Sequence, residues 1–586
     1  MSDSTELKRL HREEIRSVTP DSAANSTSTQ GLTANDLPLG YFYSKNFIGS
    51  VAGVCLMAIS LYLGYVLPAN TLTTINEDLG PDPNYILIST SYTLISGVGL
   101  LLVGRLGDIF GRRYFYIGGQ TIGFIGAIVG ATAQNIPTLI AGAVLTGCAA
   151  SVQLTFTFVI SELVPNKHRP AVNSGLFLST LPFAAFGPLI AQLLVKNTEK
   201  GWRWNYYLNC ITCGLSAILF ALFYFPPGYD QLHKGKSRWE QVKKLDYLGL
   251  VLYSAGLVLV LLGLSWGGSS YPWKSGHVIA TLVVGIVTLV LFALWETFAP
   301  LEQPFLPTKL LRNVNYVAVC VAASVGTMIY FSLNVLWPQQ IAALYTTDPI
   351  KAGWLACTTG SSVALGQILA GLLMKPLGHA RWQLVLCTVV MTTFLGAMAS
   401  TNQYRKDYGI AFTIIGGLGV GFQEMISIIM SALICKPEDI GLASSFLAAI
   451  KQVVGTIATA IYVSILTNRL DETLAPTVTP AAVKAGLPKS SIPTLLKAIA
   501  AGTSDALDSV PGMTSKIAAV VGEATKTAYS FSFQTVYLTS IAFGGLAIIA
   551  GFFTRSIDDK MTSEVAQKLR GTDANEEGVS TSAKVV

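Results

Sequence analysis

Two charged residues interrupt long apolar segments near the C-terminal end of the chain. Glu424 lies eleven residues before Cys435, and Lys451 lies ten residues after Gly441. If these segments are antiparallel helices, a rise of about 1.5 Å per residue places both side chains roughly 15–16 Å from the turn between them. A charge in hydrocarbon costs about 2.5–3.5 kcal/mol on insertion scales, so we expect the pair to face each other and to switch partners on protonation. A static ion pair, or two groups that face different cavities, are the alternatives.

Amide side chains in apolar segments form the second group with binding chemistry. An Asn or Gln in such a segment either joins neighbouring helices or binds a solute, and the sequence leaves both open. Trp337 belongs with them, because Trp337-Pro338 is expected to interrupt its helix near an interface, where the indole either contacts solute or anchors the helix. The amides that we take as cavity candidates are Gln153, Asn173, Asn334, Gln339, Gln423 and Gln452.

Catalytic chemistry is not indicated. The sequence has no Gly-x-x-x-x-Gly-Lys-Ser/Thr phosphate loop and no nucleophile beside a base, which argues against ATP hydrolysis within the chain and against an enzyme. Cys210 and Cys213 have the spacing of a metal site but lack a second ligand pair, so we expect them to pack as small apolar residues. We therefore expect neither a metal nor a cofactor.

Membrane-spanning helices must position these residues. Of the 586 residues, 51% are hydrophobic and 12% are charged, and the mean hydropathy is +0.52. Apolar runs that can cross about 30 Å of hydrocarbon recur from Phe47 almost to the C-terminus. We predict fourteen spans, near 47–67, 86–104, 114–134, 137–160, 172–195, 204–226, 246–264, 277–297, 315–336, 350–374, 382–400, 409–433, 442–466 and 532–553.

The distribution of positive charge predicts the orientation. The even-numbered connections carry fifteen Lys and Arg residues, whereas the short odd-numbered ones carry seven. By the positive-inside rule both termini are cytosolic. The net charge of +6 follows from this topology, so we expect no nucleic-acid partner. The plasma membrane is the expected location, with a vacuolar or vesicle membrane as the alternative.

The second and third spans are joined by the segment GRLGDIFGRR. Its Asp and Arg, four residues apart, can pair at the inner mouth and hold the helix ends in one state until the pairing changes. The spacing resembles the Gly-x-Leu-x-Asp-x-x-Gly-Arg-Lys/Arg signature of the major facilitator superfamily. The residues to which this gate motif assigns a role are Gly104, Asp108, Gly111, Arg112 and Arg113.

The fifth span contains LPFAAFGPLIAQLL, which resembles incompletely the antiporter motif of that superfamily. Gly187 and Pro188 keep its centre, and Pro182 lies about one and a half turns earlier, whereas Phe183 replaces the first glycine and Ala191 and Gln192 replace the last two. A proline removes a backbone hydrogen bond and favours a kink, which suits a span that must change its packing. The kink alone is also compatible with a purely structural role, because such kinks are common in membrane helices.

Three further segments narrow the resemblance. GWRWNYYLN resembles a segment of the fourteen-span drug:proton antiporters, and SELVPNKHRP and NVLWPQQIAALY resemble the fungal trichothecene efflux pump family, with siderophore transporters as near relatives. Alignment with the antiporter motifs also shows two departures. Ile59 stands where the antiporters have an Asp, and Ala143 where they have an Arg. Proton coupling of their usual kind is therefore in question.

The resemblance implies an all-α membrane protein with the major facilitator fold: two six-helix bundles and two inserted central helices. The expected organisation is a cytosolic tail (1–45), a first bundle (46–226), a loop with two linker helices (227–311), a second bundle (312–555) containing a long extracellular loop (467–531), and a cytosolic tail (556–586). We expect a monomer that exports a small organic molecule, a mycotoxin or drug-like compound, by proton antiport. Siderophore uptake and a non-transporting solute receptor are the alternatives.

Overall fold

The computed structural model describes residues 32–33, 41–80, 82, 85, 87–226, 246–267, 271–301, 308–435, 440–501, 509–561 and 564–565. Its architecture is nearly all helical. The described residues include one pair of two-residue strands, β1 (Leu32–Thr33) and β2 (Glu564–Val565), which pair antiparallel and join the two terminal segments.

The first half of the chain forms a helical bundle. Polar caps start several of its helices: the side chain of Ser44 accepts from the backbone N–H of Phe47, and that of Asn135 accepts from Thr138. The helices are α1 (Lys45–Ala69), α2 (Leu72–Leu79), α3 (Leu87–Phe110), α4 (Arg112–Thr132), α5 (Ile136–Gln153), α6 (Phe156–Leu163), α7 (Arg169–Asn197) and α8 (Arg203–Phe223). The short helices α2 and α6 extend the bundle at opposite ends.

The second half begins with a helical pair, followed by another bundle. The pair is α9 (Tyr247–Trp266) and α10 (Gly276–Phe298). The remaining helices are α11 (Thr308–Leu311), α12 (Val314–Gln340), α13 (Pro349–Leu377), α14 (Ala380–Ala397), α15 (Lys406–Ile434), α16 (Ile440–Lys484), α17 (Ile492–Ala501) and α18 (Ser515–Phe553). Successive long helices alternate in direction, so their ends lie either at the Gly111 end of the molecule or at the Asn70 end.

Thirteen helical stretches among the described residues are long and apolar enough to cross a membrane. The predicted second span corresponds to α3, in which Leu87–Leu100 forms a shorter apolar helix. The number of fourteen spans therefore stays a prediction. The all-helical membrane fold is confirmed.

The segment predicted as a long loop, 467–531, contains extended helices at both ends. Helix α16 continues to Lys484, and α18 already begins at Ser515. Between them, α17 completes a small apolar core of its own. A hydropathy window misses these extensions because their apolar side chains cover only one face. We call this small core and the helices around it the cap. The residues at its centre are Val478, Ala482, Leu487, Leu495, Val510 and Ile517.

The segment after Arg555, predicted as a cytosolic tail, packs against the rest of the protein where the structure describes it. Ile557 is buried, and the carboxylate of Asp558 accepts from the backbone N–H groups of His379 and Ala380 at 2.9 and 3.4 Å. In the N-terminal segment, Tyr41 is buried against Phe47. Both bundles therefore carry an ordered piece of terminal segment at the Gly111 end.

Two helix pairs form the boundary between the bundles. α7 packs against α13, and α3 packs against α16. Glycines permit the close approach: a Cβ at Gly360 of α13 would overlap the carbonyl oxygen of Ala184, and one at Gly97 of α3 would lie 3.2 Å from Gln452. The inserted helix α9 contacts both α3 and α16, so the linker pair covers one side of this boundary.

Candidate functional site

Glu424 and Lys451 form an ion pair on the face of the second bundle that meets the first. The Nζ atom of Lys451 lies 2.5 Å from Oε1 of Glu424, and the side chains are 14% and 28% exposed, respectively. The neighbouring Gln452 lies against Gly97 of the first bundle. The predicted juxtaposition is therefore present in the structure, and the pair lies at the boundary between the bundles.

Gln367 of α13 also contacts the carboxylate of Glu424. Its Nε2 atom donates to Oε2 of Glu424 at 3.0 Å, and the residue is 4% exposed. Each carboxylate oxygen therefore accepts from a different helix, Oε1 from α16 and Oε2 from α13. The sequence analysis did not select Gln367. It had the same signal as the chosen amides, a glutamine in an apolar segment, and only its contact with Glu424 distinguishes it.

Two tyrosines, Tyr62 and Tyr330, lie near the same carboxylate. Tyr62 of α1 lies close enough to Tyr330 of α12 and to Glu424 to interact with both electrostatically, and it lies beside Thr180 of α7. Tyr65 stacks on Tyr92 with ring centroids 5.3 Å apart. Side chains from both bundles thus converge here. Sequence reasoning missed them, because an isolated Tyr in a membrane span does not differ from one that faces lipid.

Arg112, at the start of α4, forms an ion pair with Glu162 of α6. Glu162 is 3% exposed and Arg112 is 16% exposed. The predicted pairing of Asp108 with Arg112 falls on a side chain outside the described residues, so it stays a prediction. Glu162, which belongs to the segment SELVPNKHRP, is a partner of Arg112 that the motif did not predict.

The other gate-motif residues shape the turn between α3 and α4. Gly104 belongs to α3. Gly111 has φ +92°, a backbone conformation that favours glycine, and it separates the two helices. Arg113 donates to the carbonyl oxygen of Ala221 at 2.7 Å, and its guanidinium lies 3.9 Å from the centre of the Phe225 ring. Arg113 thus holds the turn on α8, and Arg112 holds it on α6.

The prolines of the antiporter-like segment lie inside a continuous helix, because α7 runs through both Pro182 and Pro188. Pro188 cannot donate to the carbonyl of Ala184, four residues earlier, and that carbonyl faces Gly360 of α13. Gly187 faces Val66 of α1. This segment therefore supplies contact surfaces to α1 and α13.

Three predicted cavity amides lie inside the bundles. Gln153 donates to Oε1 of Gln120 at 3.2 Å. Asn173 donates to the carbonyl of Arg169 at 3.0 Å, and Gln423 donates to the carbonyl of Ala322 at 2.7 Å. All three side chains are buried. In this conformation Gln153 and Gln423 join neighbouring helices, whereas the bond of Asn173 lies within α7.

The amides near the end of α12 differ from one another. Asn334 lies beside Tyr330. Both Asn334 and Gln339 are exposed, so solvent can reach them. Trp337 is fully buried within the second bundle, where its Nε1 donates to the carbonyl of Leu355 at 3.1 Å. The expected helix interruption at Pro338 is wrong: α12 continues to Gln340 and into a π-helical turn. A wider turn tolerates the missing proline N–H.

Apolar packing occupies the two positions that depart from the antiporter motifs. Ile59 packs with Leu63 and Leu67 of its own helix, and Ala143 is buried close to Ile136 and Leu139. The first bundle thus lacks charge at these two positions, whereas the second bundle carries the pair Glu424 and Lys451.

Helical bundles that meet at such a boundary define a multi-pass membrane transporter of the major facilitator class. The human organic anion transporter MFSD10 has the same fold, with TM-score 0.50 and 10% identity over 86% of this chain and 100% of its own. The proton:xylose symporter XylE has TM-score 0.50 and 13% identity over 90% and 98% of the two chains.

Sequence relatives identify the family within that class. The profile of the fungal trichothecene efflux pump matches residues 15–582, and the chain belongs to this family. It is 33% identical to trichothecene efflux pump TRI12 of Fusarium sporotrichioides over 92% of this chain and 90% of that protein. It is 31% identical to TRI12 of Trichoderma arundinaceum (95% and 94%) and 32% identical to transporter prx5 of Penicillium rubens (92% and 97%). Its relatives are transporters rather than enzymes.

Proposed function

We propose that this protein exports a small organic molecule, a mycotoxin or related secondary metabolite, in exchange for protons. Membership of a family of efflux pumps supports the direction of transport. The observation that carries the coupling mechanism is the contact between Glu424 and Lys451 at the boundary of the bundles. The positive-inside charge pattern supports a cytosolic Gly111 end, with both termini cytosolic, and the plasma membrane as the location.

Protonation of Glu424 is the coupling step in this proposal. The carboxylate accepts from the ammonium of Lys451, so the ion pair lowers the cost of both charges at the membrane midplane. A proton that binds to Glu424 removes the negative charge and leaves Lys451 without its counter-charge. The two bundles then favour a different arrangement, in which solute and proton reach opposite sides in turn. The second bundle thereby supplies the charges that Ile59 and Ala143 do not.

Tyr62, Tyr330 and Asn334 are the solute contacts that we propose. Tyr62 comes from the first bundle and the other two from the second, so a solute between them bridges the moving parts. Aromatic faces bind apolar rings, while phenol and amide groups hydrogen-bond to oxygen substituents. This surface suits a neutral, oxygenated and largely apolar compound. The exposed Gln339 and the boundary residue Gln452 extend the proposed surface towards the Asn70 end and towards α3.

The gate at the Gly111 end is the third part of the proposal. Arg112 and Glu162 hold α4 on α6, and Asp108 lies near the end of α3, four residues before Arg112 in sequence. We propose that these charges change partners when that end opens. Asp108→Asn is then expected to slow transport more than it lowers the folded yield.

Transport assays in proteoliposomes test the coupling. A pH gradient is imposed, and movement of a trichothecene is followed by mass measurement for the wild type, Glu424→Gln and Lys451→Met. We expect the gradient to accelerate transport in the wild type and to have no effect in Glu424→Gln. Gradient-driven transport at the wild-type rate in a folded Glu424→Gln variant would refute the coupling role, and absence of solute movement in the wild type would favour a receptor.

A further inference from the structure

We infer that Gln367 is a positioning residue that transmits the charge state of Glu424 to the contact between the bundles. The inference rests on the proposed coupling role of Glu424. It adds a residue of α13 that no motif selects and gives the protonation step a physical path to the first bundle. Three contacts carry it: Gln367 with Glu424, α13 with α15, and Ile368 with Ser174.

The hydrogen bond from Gln367 is stronger to the ionised carboxylate than to the protonated one. Nε2 of Gln367 donates to Oε2 at 3.0 Å, and Nζ of Lys451 donates to Oε1 at 2.5 Å. A proton that arrives on Oε2 makes that oxygen a donor and a weaker acceptor, so its contact with the donating amide group is weakened. A strong contact is restored when the amide turns so that its own oxygen accepts the new proton. With Gln367 only 4% exposed, water does not readily replace the lost partner.

The two helices that carry these residues are packed backbone against backbone. A Cβ at Gly366 would overlap the carbonyl oxygen of Leu418, and one at Gly421 would overlap that of Val363. Because the two helices approach so closely, the side-chain amide of Gln367 reaches the carboxylate of Glu424. The close approach also leaves little free space around the amide, so we expect a change at Gln367 to displace α13 rather than to be absorbed by one side chain.

The residue after Gln367 makes the contact with the other bundle. The hydroxyl of Ser174 in α7 donates to the carbonyl oxygen of Ile368 at 2.8 Å, and Ser174 is buried. One turn further along α13, Gly371 lies against the carbonyl of Pro170. The proton-sensitive bond and the bond between the bundles are therefore adjacent in sequence on one helix.

Three ionisable groups face Glu424 among the residues that the structure describes. Lys451 faces it from α16, Tyr62 from α1 and Tyr330 from α12. Phenol groups do not ionise between pH 5.5 and 8.5. A conformational change in that range that depends on Gln367 therefore reports on Glu424 and its partner Lys451.

Distance measurement between the bundles tests the inference without a solute. Spin labels are attached through Lys200→Cys, after α7, and Thr347→Cys, before α13, both at exposed positions. The exposed native thiol is removed by Cys148→Ser. Distances are recorded from pH 5.5 to 8.5 by double electron–electron resonance. In Gln367→Leu the carboxylate loses a donor, so we expect the midpoint of the distance change to differ from that of the wild type.

Two controls separate sensing from transmission. Gln423→Leu removes a buried amide bond next to Glu424 in sequence, directed at Ala322, and is expected to keep the wild-type midpoint. Ser174→Ala removes the bond to Ile368 and is expected to keep the midpoint but reduce the amplitude. Gln367→Met replaces Gln367→Leu if the latter does not fold.

The outcomes distinguish this inference from the proposed function. If Glu424→Gln abolishes the pH-dependent distance change while Gln367→Leu and Gln367→Met keep the wild-type midpoint, the role of Gln367 is refuted and the coupling role of Glu424 stands. If Glu424→Gln keeps the distance change, or the wild type shows none, the coupling role itself is refuted. An equal midpoint shift in Gln423→Leu overturns the assignment to Gln367.

Discussion

Arg112 of α4 and Glu162 of α6 form an ion pair in which the carboxylate is almost entirely shielded from solvent. The pair joins the gate motif to the end of the helical segment that follows α5. Its position at the Gly111 end links two stretches of sequence about fifty residues apart, and it gives the gate a second acidic group besides Asp108.

Glu162→Gln tests this pair. Loss of a buried counter-charge is strongly destabilising, and because Arg112 is partly exposed we expect the free energy of unfolding to fall by about 2–3 kcal/mol. Thermal unfolding in detergent measures it. Glu523→Gln, which removes an exposed pair with Lys526, is the matched control and should change stability by less than about 0.5 kcal/mol. Equal melting temperatures for the wild type and Glu162→Gln would contradict the expectation.

Asp78→Asn tests a pH-dependent contribution at the Asn70 end. The hydrogen bond from the indole of Trp202, followed by the contact with Arg203, holds the pKa of Asp78 below its usual value. The native pKa is the lower one, so its stabilising effect is present above the unfolded pKa of about 3.9 and is lost as pH falls through the native pKa. Asp78 is half exposed, so we expect less than about 1 kcal/mol. Melting temperatures of the two proteins should differ at pH 6 and approach each other as the pH falls below about 4; a constant difference argues against this origin.

Gly360→Ala tests the close approach of α13 to α7. The new methyl group would overlap the carbonyl of Ala184, so we expect a loss of about 1–3 kcal/mol in stability and slower transport. Gly175→Ala is the control, because no atom lies within 4 Å of the position its Cβ would take. That variant should be as stable as the wild type or slightly more stable. Comparable losses in both variants would show that helix backbone effects, and not the contact, are responsible.

Trp337→Ala and Tyr62→Ala separate packing from solute contact. Trp337 is fully buried, so its truncation should cost about 3–5 kcal/mol while the ratio of transport rates for two solutes stays unchanged. Tyr62 lies between the bundles, so its truncation should change that ratio with a smaller effect on stability. Competition between two solutes in proteoliposomes measures the ratio. A changed ratio in Trp337→Ala would instead indicate that the indole contacts the solute.

Hydropathy and helix geometry predicted the spans and the meeting of Glu424 with Lys451, because depth in a membrane follows directly from the number of residues along a helix. The direction of a side chain does not. Gln423 and Glu424 are neighbours in sequence, yet successive residues point about 100° apart on a helix, so one faces Ala322 within its bundle and the other faces the boundary. The contact of Gln367 with Glu424 could not be predicted, because it depends on how closely α13 approaches α15. Which glycines lie at that contact is known only from the folded structure.

Helix α16 is 45 residues long, about 68 Å at 1.5 Å per residue, which exceeds the roughly 40–45 Å of a whole bilayer. Its outer part is braced against α18, where the hydroxyls of Thr473 and Ser532 lie 3.1 Å apart. The part of α16 beyond Leu466 is therefore expected to move together with the second bundle. With an arm of roughly 27 Å beyond Leu466, a 10° tilt of that bundle sweeps the tip through about 5 Å. We therefore expect the position of the cap to change with the tilt of the second bundle.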